Sequence, residues 1–172
     1  MRVKRKGRGL NAPFLYKGYM RNTWFIDIDG TIVEHKNNKQ LDDRLTFLGK
    51  KQTVFPYGES DIEDVNLLDE KILPGVKDFW LKIPEKDVII LTTAREYRHK
   101  WLTEQMLKLF DLRYDQIIFA IGSKKRFLIN DREPFRKGRE RPSISPLKDK
   151  AIAINVGRNE GLENTDWVFT HT

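Results

Sequence analysis

Short apolar runs that close on an acid or a hydroxyl residue constrain this chain most. Trp24-Phe25-Ile26-Asp27-Ile28 leads into Asp29 and Gly30, as a buried strand entering a turn does. Val88-Ile89-Ile90-Leu91 is almost continuously apolar, which suits a central parallel strand covered on both faces, and Thr92 and Thr93 follow it. Ile117-Ile118-Phe119-Ala120-Ile121, Phe127-Leu128-Ile129 and Ala151-Ile152-Ala153-Ile154 extend the series. Between the runs the period changes. Leu73-Pro74-Gly75 opens a helix in which Val76, Phe79, Trp80 and Ile83 recur at i, i+3, i+4 and i+7 before Pro84 ends it. Glu96 to Phe110 reads as a second helix, with Leu102, Met106 and Leu109 on one face and Glu96/Lys100 and Glu104/Lys108 as i,i+4 pairs. Strands separated by helices predict an α/β fold with right-handed crossovers. Ligands in such folds bind at the carboxyl ends of the strands. Asp27, Asp29, Thr92, Thr93, Lys124 and Asp131 all belong to that edge.

The 172 residues suit one domain with its own core, and 39% hydrophobic residues are enough to fill it. The charge is uneven. Arg2, Lys4, Arg5, Lys6, Arg8, Lys17 and Arg21 account for the whole net charge of +7, and the remainder balances 25 cations against 25 acids. Residues 1–22 therefore read as a basic arm without periodicity, and 23–172 as a single catalytic domain. Any nucleic-acid contact is confined to the arm. Residues 33–71 are too long for an ordinary connection and predict a β-hairpin flap or small lid, with Val54-Phe55-Pro56-Tyr57-Gly58 inside it. Residues 132–149 form a basic, proline-punctuated loop whose charge suits a phosphorylated ligand or simply solvent. No run approaches the ~20 apolar residues of a membrane span, so a cytoplasmic protein without membrane contact is expected. The absence of cysteine excludes thiolate metal sites and a Cys nucleophile. His35, His99 and His171 are too scattered for a histidine cluster.

Phe25-Ile26-Asp27-Ile28-Asp29-Gly30-Thr31 resembles the first motif (hhhDxDGT) of the haloacid dehalogenase-like superfamily. Leu91-Thr92-Thr93-Ala94-Arg95 resembles its second motif, Lys124 or Lys125 stands where its lysine is expected, and Phe127-Leu128-Ile129-Asn130-Asp131 resembles its fourth. The resemblance spans roughly residues 23–155 and implies a Rossmann-like three-layer sandwich with a central parallel sheet and a small flap after the first strand. It also implies Mg²⁺ held by the Asp27 carboxylate, the Asp29 main-chain carbonyl and Asp131. Thr93, in preference to Thr92, is placed on a phosphoryl oxygen, and Lys124 or Lys125 on the charge developing there. The fourth motif departs from the family pattern, with Asn130 before Asp131 and Glu133 at an unusual offset. Arg95, at a helix start, is left without a role.

The residue types have their own logic. A phosphate monoester is a dianion, so a carboxylate attacks it only if cations offset the repulsion; Mg²⁺, bound through oxygen alone, suits a site rich in Asp. Asp27 would attack phosphorus and carry an aspartyl-phosphate. Asp29 would protonate the leaving oxygen and then accept a proton from water. Gly30 permits the sharp turn between them and the rest of the chain. The expected function is a Mg²⁺-dependent phosphatase acting on a small phosphorylated metabolite, such as a sugar phosphate or nucleotide. The alternatives are a nucleic-acid end-processing phosphatase that uses the basic arm, and a non-catalytic binding module. Substrate identity and oligomeric state are not fixed by the sequence.

Overall fold

Strand β1 (Thr23–Asp27) carries the first apolar run and lies parallel to β2 (Val88–Thr92), which in turn pairs in parallel with β3 (Gln116–Ile118). The molecule, a computed structural model, is described over residues 21–49, 64–130 and 151–170. Strand order β1-β2-β3 makes β2 central, as its apolar run predicts. The fold is α/β: this parallel sheet is accompanied by helices α1 (Asn38–Phe47), α2 (Val76–Lys82) and α3 (Lys100–Leu109). On β2, Ile89 and Leu91 are fully buried and Val88, Ile90 and Thr92 only partly, so one face of the strand is covered more completely than the other.

Register sets what meets at the carboxyl edge of the sheet. Asp27 is the partner of Thr92, which brings the ends of β1 and β2 side by side. At the opposite edge, the buried Asp87 accepts from the Asn22 backbone N–H at 3.0 Å and from Trp24 Nε1 at 3.0 Å, pinning the start of β1 to that of β2. Trp24 also stacks edge-on against Phe79 of α2, and Phe169 packs on both rings. The 3-10 helix Glu163–Thr170, which supplies Phe169, has no counterpart among the sequence expectations.

Helix α2 begins where expected, with Val76, Phe79 and Trp80 buried. The second helix divides: Tyr97–His99 is a 3-10 turn and α3 starts only at Lys100, with Leu102 and Met106 fully buried and Leu109 at the margin. One of its expected ion pairs differs: Glu96 turns to Arg98 and to Asn38 of α1, and Lys100 pairs with Glu104.

Several regions differ from the sequence expectation or lie outside the described residues. The insert contains α1, capped by a reciprocal Asn37/Gln40 box, and a 3-10 turn at Val65–Leu68; the predicted hairpin around Val54–Gly58 lies outside the described residues. Phe127-Leu128-Ile129 is not a strand: its side chains are 85%, 63% and 94% exposed. An apolar triplet becomes a strand only where a neighbour pairs with it, and none does here among the described residues. Residues 151–154 are likewise irregular. The basic arm, apart from Arg21 and Asn22, and the loop at 132–149 fall outside the described residues. Among the described residues no helix is long and apolar enough to cross a membrane.

The start of α2 and the C-terminal segment meet at two glycines. Gly75 (φ 71°) and Gly161 (φ 76°) both adopt the left-handed region; a Cβ on Gly161 would lie 2.2 Å from the Pro74 carbonyl oxygen, and the Leu162 N–H donates to that same carbonyl. Gly161→Ala should therefore cost at least about 2 kcal/mol of unfolding free energy, from backbone strain plus the clash. A chemical-denaturation midpoint equal to wild type would contradict this close crossing.

Candidate active site

The site is built on the turn that follows β1. Ile28 donates to the Thr92 carbonyl, and its own carbonyl accepts from Thr31, Ile32 and Val33, curling the chain back on itself. Gly30 sits at φ 86°, a conformation that favours glycine, and Gly30 N–H donates to Val33 O at 2.7 Å. The C-terminal segment closes over this turn: Asn159 N–H donates to the Gly30 carbonyl, and the Asn159 side chain accepts from His35 N–H. The two ends of the insert are tied at the same place, with Glu34 N–H donating to Lys71 O and Leu73 N–H to Ile32 O.

Asp29 lies in a dense polar network. Arg95 donates to it from Nε (3.0 and 3.1 Å) and Nη2 (2.8 Å), and Thr93 Oγ1 donates to Oδ2 at 3.0 Å. Thr93 also accepts the Arg95 backbone N–H, so the turn after β2 holds hydroxyl and guanidinium together. The Thr92 hydroxyl instead points back to the Ile26 carbonyl. Thr93 and not Thr92 therefore meets the Asp29 carboxylate.

Arg95 is 1% exposed, and its Nη2 lies 2.9 Å from Glu70 Oε1, whose side chain is fully buried. Nη1 donates to Thr103 of α3 at 3.2 Å. Burial alone would push the guanidinium pKa down, but the carboxylates of Glu70 and Asp29 outweigh it and hold it up. For Glu70 burial wins over the attraction of Arg95, and its pKa is raised. One cation thus stands between two acids away from solvent.

Asp27 is more open. Burial raises its pKa, opposed by Arg126, whose Nη2 donates to Oδ1 at 3.0 Å; the neighbouring Asp29 charge adds to the rise. Lys124 and Lys125 lie exposed on the same loop, and among the described residues the basic side chain that reaches Asp27 is Arg126. Asp131 and Glu133 lie outside the described residues. The available oxygen donors fit a hard divalent cation in kind: the Asp27 carboxylate, and an Asp29 carbonyl that the hydrogen bonds of its turn leave unused. No cluster of three or more His, Cys, Asp or Glu occurs among the described residues, so the two donors would need Asp131 or water to complete a shell.

A polar recess of about 400 Å³ opens beside the buried pair, lined by Glu34, His35, Lys36, Asp69 and Glu70. Arg95, Glu70 and Arg126 were not assigned from sequence. Arg126 adjoins the expected lysines and Arg95 lies two residues past Thr93, so proximity was the available signal; Glu70 offered none, since no periodicity marks its stretch.

A second polar cluster joins α1 to the turn before α3. Buried His99 meets Asp42 Oδ1 through Nε2 at 2.7 Å, and Arg98 donates to both Asp42 oxygens. With Nε2–H given to the carboxylate, Nδ1 is left buried without a partner among the described residues. Burial lowers the His99 pKa, only partly offset by Asp42. The unfolded chain then takes up the proton more readily than the folded one, so stability should fall as pH drops below about 6.5. His99→Gln keeps a donor to Asp42 and removes the titration. Urea unfolding between pH 5 and 7 should show a flatter pH dependence in that variant, and an unchanged slope would count against the assignment.

No family model matches the chain, and neither a curated protein nor a solved structure does.

Proposed function

We propose that the chain is a Mg²⁺-dependent phosphatase of the haloacid dehalogenase-like kind, hydrolysing the phosphate monoester of a small metabolite through an aspartyl-phosphate. The observation that carries this reading is the meeting of Asp27, Asp29 and Thr93 at the carboxyl ends of two adjacent parallel strands. Ligands of open α/β sheets bind at that edge. The full architecture we infer is a three-layer sandwich around the parallel sheet.

In the proposed reaction an Asp27 oxygen attacks phosphorus as the bond to the leaving oxygen breaks, giving the aspartyl-phosphate and an alcohol that receives its proton from Asp29. Water then attacks phosphorus, Asp29 takes its proton, and the Asp27 carboxylate is restored with release of inorganic phosphate. Mg²⁺ bound by Asp27, the Asp29 carbonyl and Asp131 would offset the repulsion between carboxylate and dianion. Arg126 donates to Asp27 from solvent and can shift to a phosphoryl oxygen, the role first given to Lys124 or Lys125. Arg95 and Thr93 hold the Asp29 carboxylate in one orientation for these proton transfers.

The test is phosphate release from sugar phosphates, nucleotides and end-phosphorylated oligonucleotides, with and without Mg²⁺. Metal-dependent release from a small substrate is the expected result. Preference for oligonucleotides would shift the reading to end processing, and no release from any of them would reject it.

A further inference from the structure

We infer that Arg95 and Glu70 form a clamp that positions the Asp29 side chain, with Glu70 supplied by the returning end of the insert. The inference rests on the phosphatase reading for its kinetic consequence, and on geometry alone for its existence.

Three features separate this contact from an incidental ion pair. The guanidinium touches both oxygens of Asp29 through two nitrogens, so the carboxylate is fixed in rotation as well as in distance. Arg95 is itself immobilised: Thr103 of α3 holds Nη1, Glu70 Oε1 lies against Nη2, and the Arg95 carbonyl accepts from Ala120 N–H. Glu70, finally, is delivered by a defined piece of chain. Asp69 adopts a left-handed conformation (φ 53°), and Lys36 Nζ donates to the Asp69 carbonyl and, at 2.6 Å, to Oδ2, while Glu34 N–H ties down the carbonyl of Lys71. The residues on either side of Glu70 are both bonded to the insert's outgoing strand of chain, so a displacement of the insert would be felt at Arg95.

Surface acids of this composition normally face water. Here Glu70 is buried, with neither carboxylate oxygen in hydrogen-bond geometry with a partner among the described residues and Oε1 held by the 2.9 Å ion contact to Arg95, which already serves a second acid. A stability role alone would be met by an apolar pair of similar size. Rigid support of a reacting carboxylate does require charge and a planar fork at this position.

The experiment uses the full chain and its best substrate from the panel with Mg²⁺. Glu70→Gln should lower kcat about 10-fold and Arg95→Lys about 100-fold, with KM nearly unchanged. Arg95→Ala should be partly restored by added guanidinium, which a purely structural residue would not permit. In parallel, the Asp29 13Cγ resonance of aspartate-labelled protein should shift or broaden in Glu70→Gln and Arg95→Lys, a readout independent of turnover. Folded variants that keep wild-type kcat, or an unaltered Asp29 resonance in both, would overturn the clamp. Absence of phosphate release in wild type together with a shifted resonance would reject the phosphatase reading and leave the clamp standing.

Discussion

Asp27→Asn should yield a folded protein whose phosphate release is at least about 1,000-fold slower, a loss of about 4 kcal/mol of transition-state stabilisation. The substitution is isosteric, and the interaction it removes is with Arg126, itself 43% exposed at the side chain. Pairs that open to solvent contribute about 0–1 kcal/mol, so the melting temperature should move by no more than a few degrees. Burial already pushes the Asp27 pKa upward, so removing the charge also relieves a desolvation cost. Large kinetic loss without structural loss is the signature of a nucleophile. Turnover within tenfold of wild type would contradict the assignment.

Arg95→Leu should produce the reverse pattern of costs, with stability itself falling by roughly 3–5 kcal/mol. The guanidinium is the shared counter-charge of Asp29 and Glu70, and its removal leaves two acids in a site from which water is largely excluded. A domain of this size holds only about 5–15 kcal/mol in total, so the loss is a large part of it. Acid should soften the effect. Glu70 already has a raised pKa; without Arg95 it rises further, and a carboxyl with a raised folded-state pKa loses stability as pH climbs through the range between its unfolded and folded values. Urea titrations should therefore find Arg95→Leu closest to wild type near pH 5 and furthest from it near pH 8. A pH-independent deficit would mean that the buried acids are not its cause.

The sequence was most informative where a local pattern coincides with burial. The apolar runs at 24–28 and 88–91 became paired parallel strands because alternate side chains enter the core: Ile26 of β1 and Ile89 and Leu91 of β2 are buried, while Phe25 is exposed. The DxDGT turn was legible because Gly30 is required by its backbone angle. Helix α1 was not foreseen, since polar residues surround Leu41 and Leu45; its Asn37-to-Gln40 capping box was the signal to find it by. Phe127-Leu128-Ile129 misled for the opposite reason: apolar composition marks readiness to pair, while pairing depends on a neighbour no local pattern names. The same limit applies to the site. Thr93 is preferred over Thr92 by the family resemblance, but the burial of Arg95 between Asp29 and Glu70 arises from residues 41 and 25 positions apart in the chain that meet only in three dimensions.

The central claim is a phosphoryl group carried on Asp27. Quenching the protein during turnover of its best substrate with Mg²⁺, reducing with borohydride and mapping the peptides by mass would locate any acyl phosphate, because reduction converts that aspartyl residue to homoserine. Conversion is expected at Asp27, dependent on substrate and metal and absent at Asp29. Phosphate release without conversion at Asp27, or with conversion at another carboxylate, would contradict it.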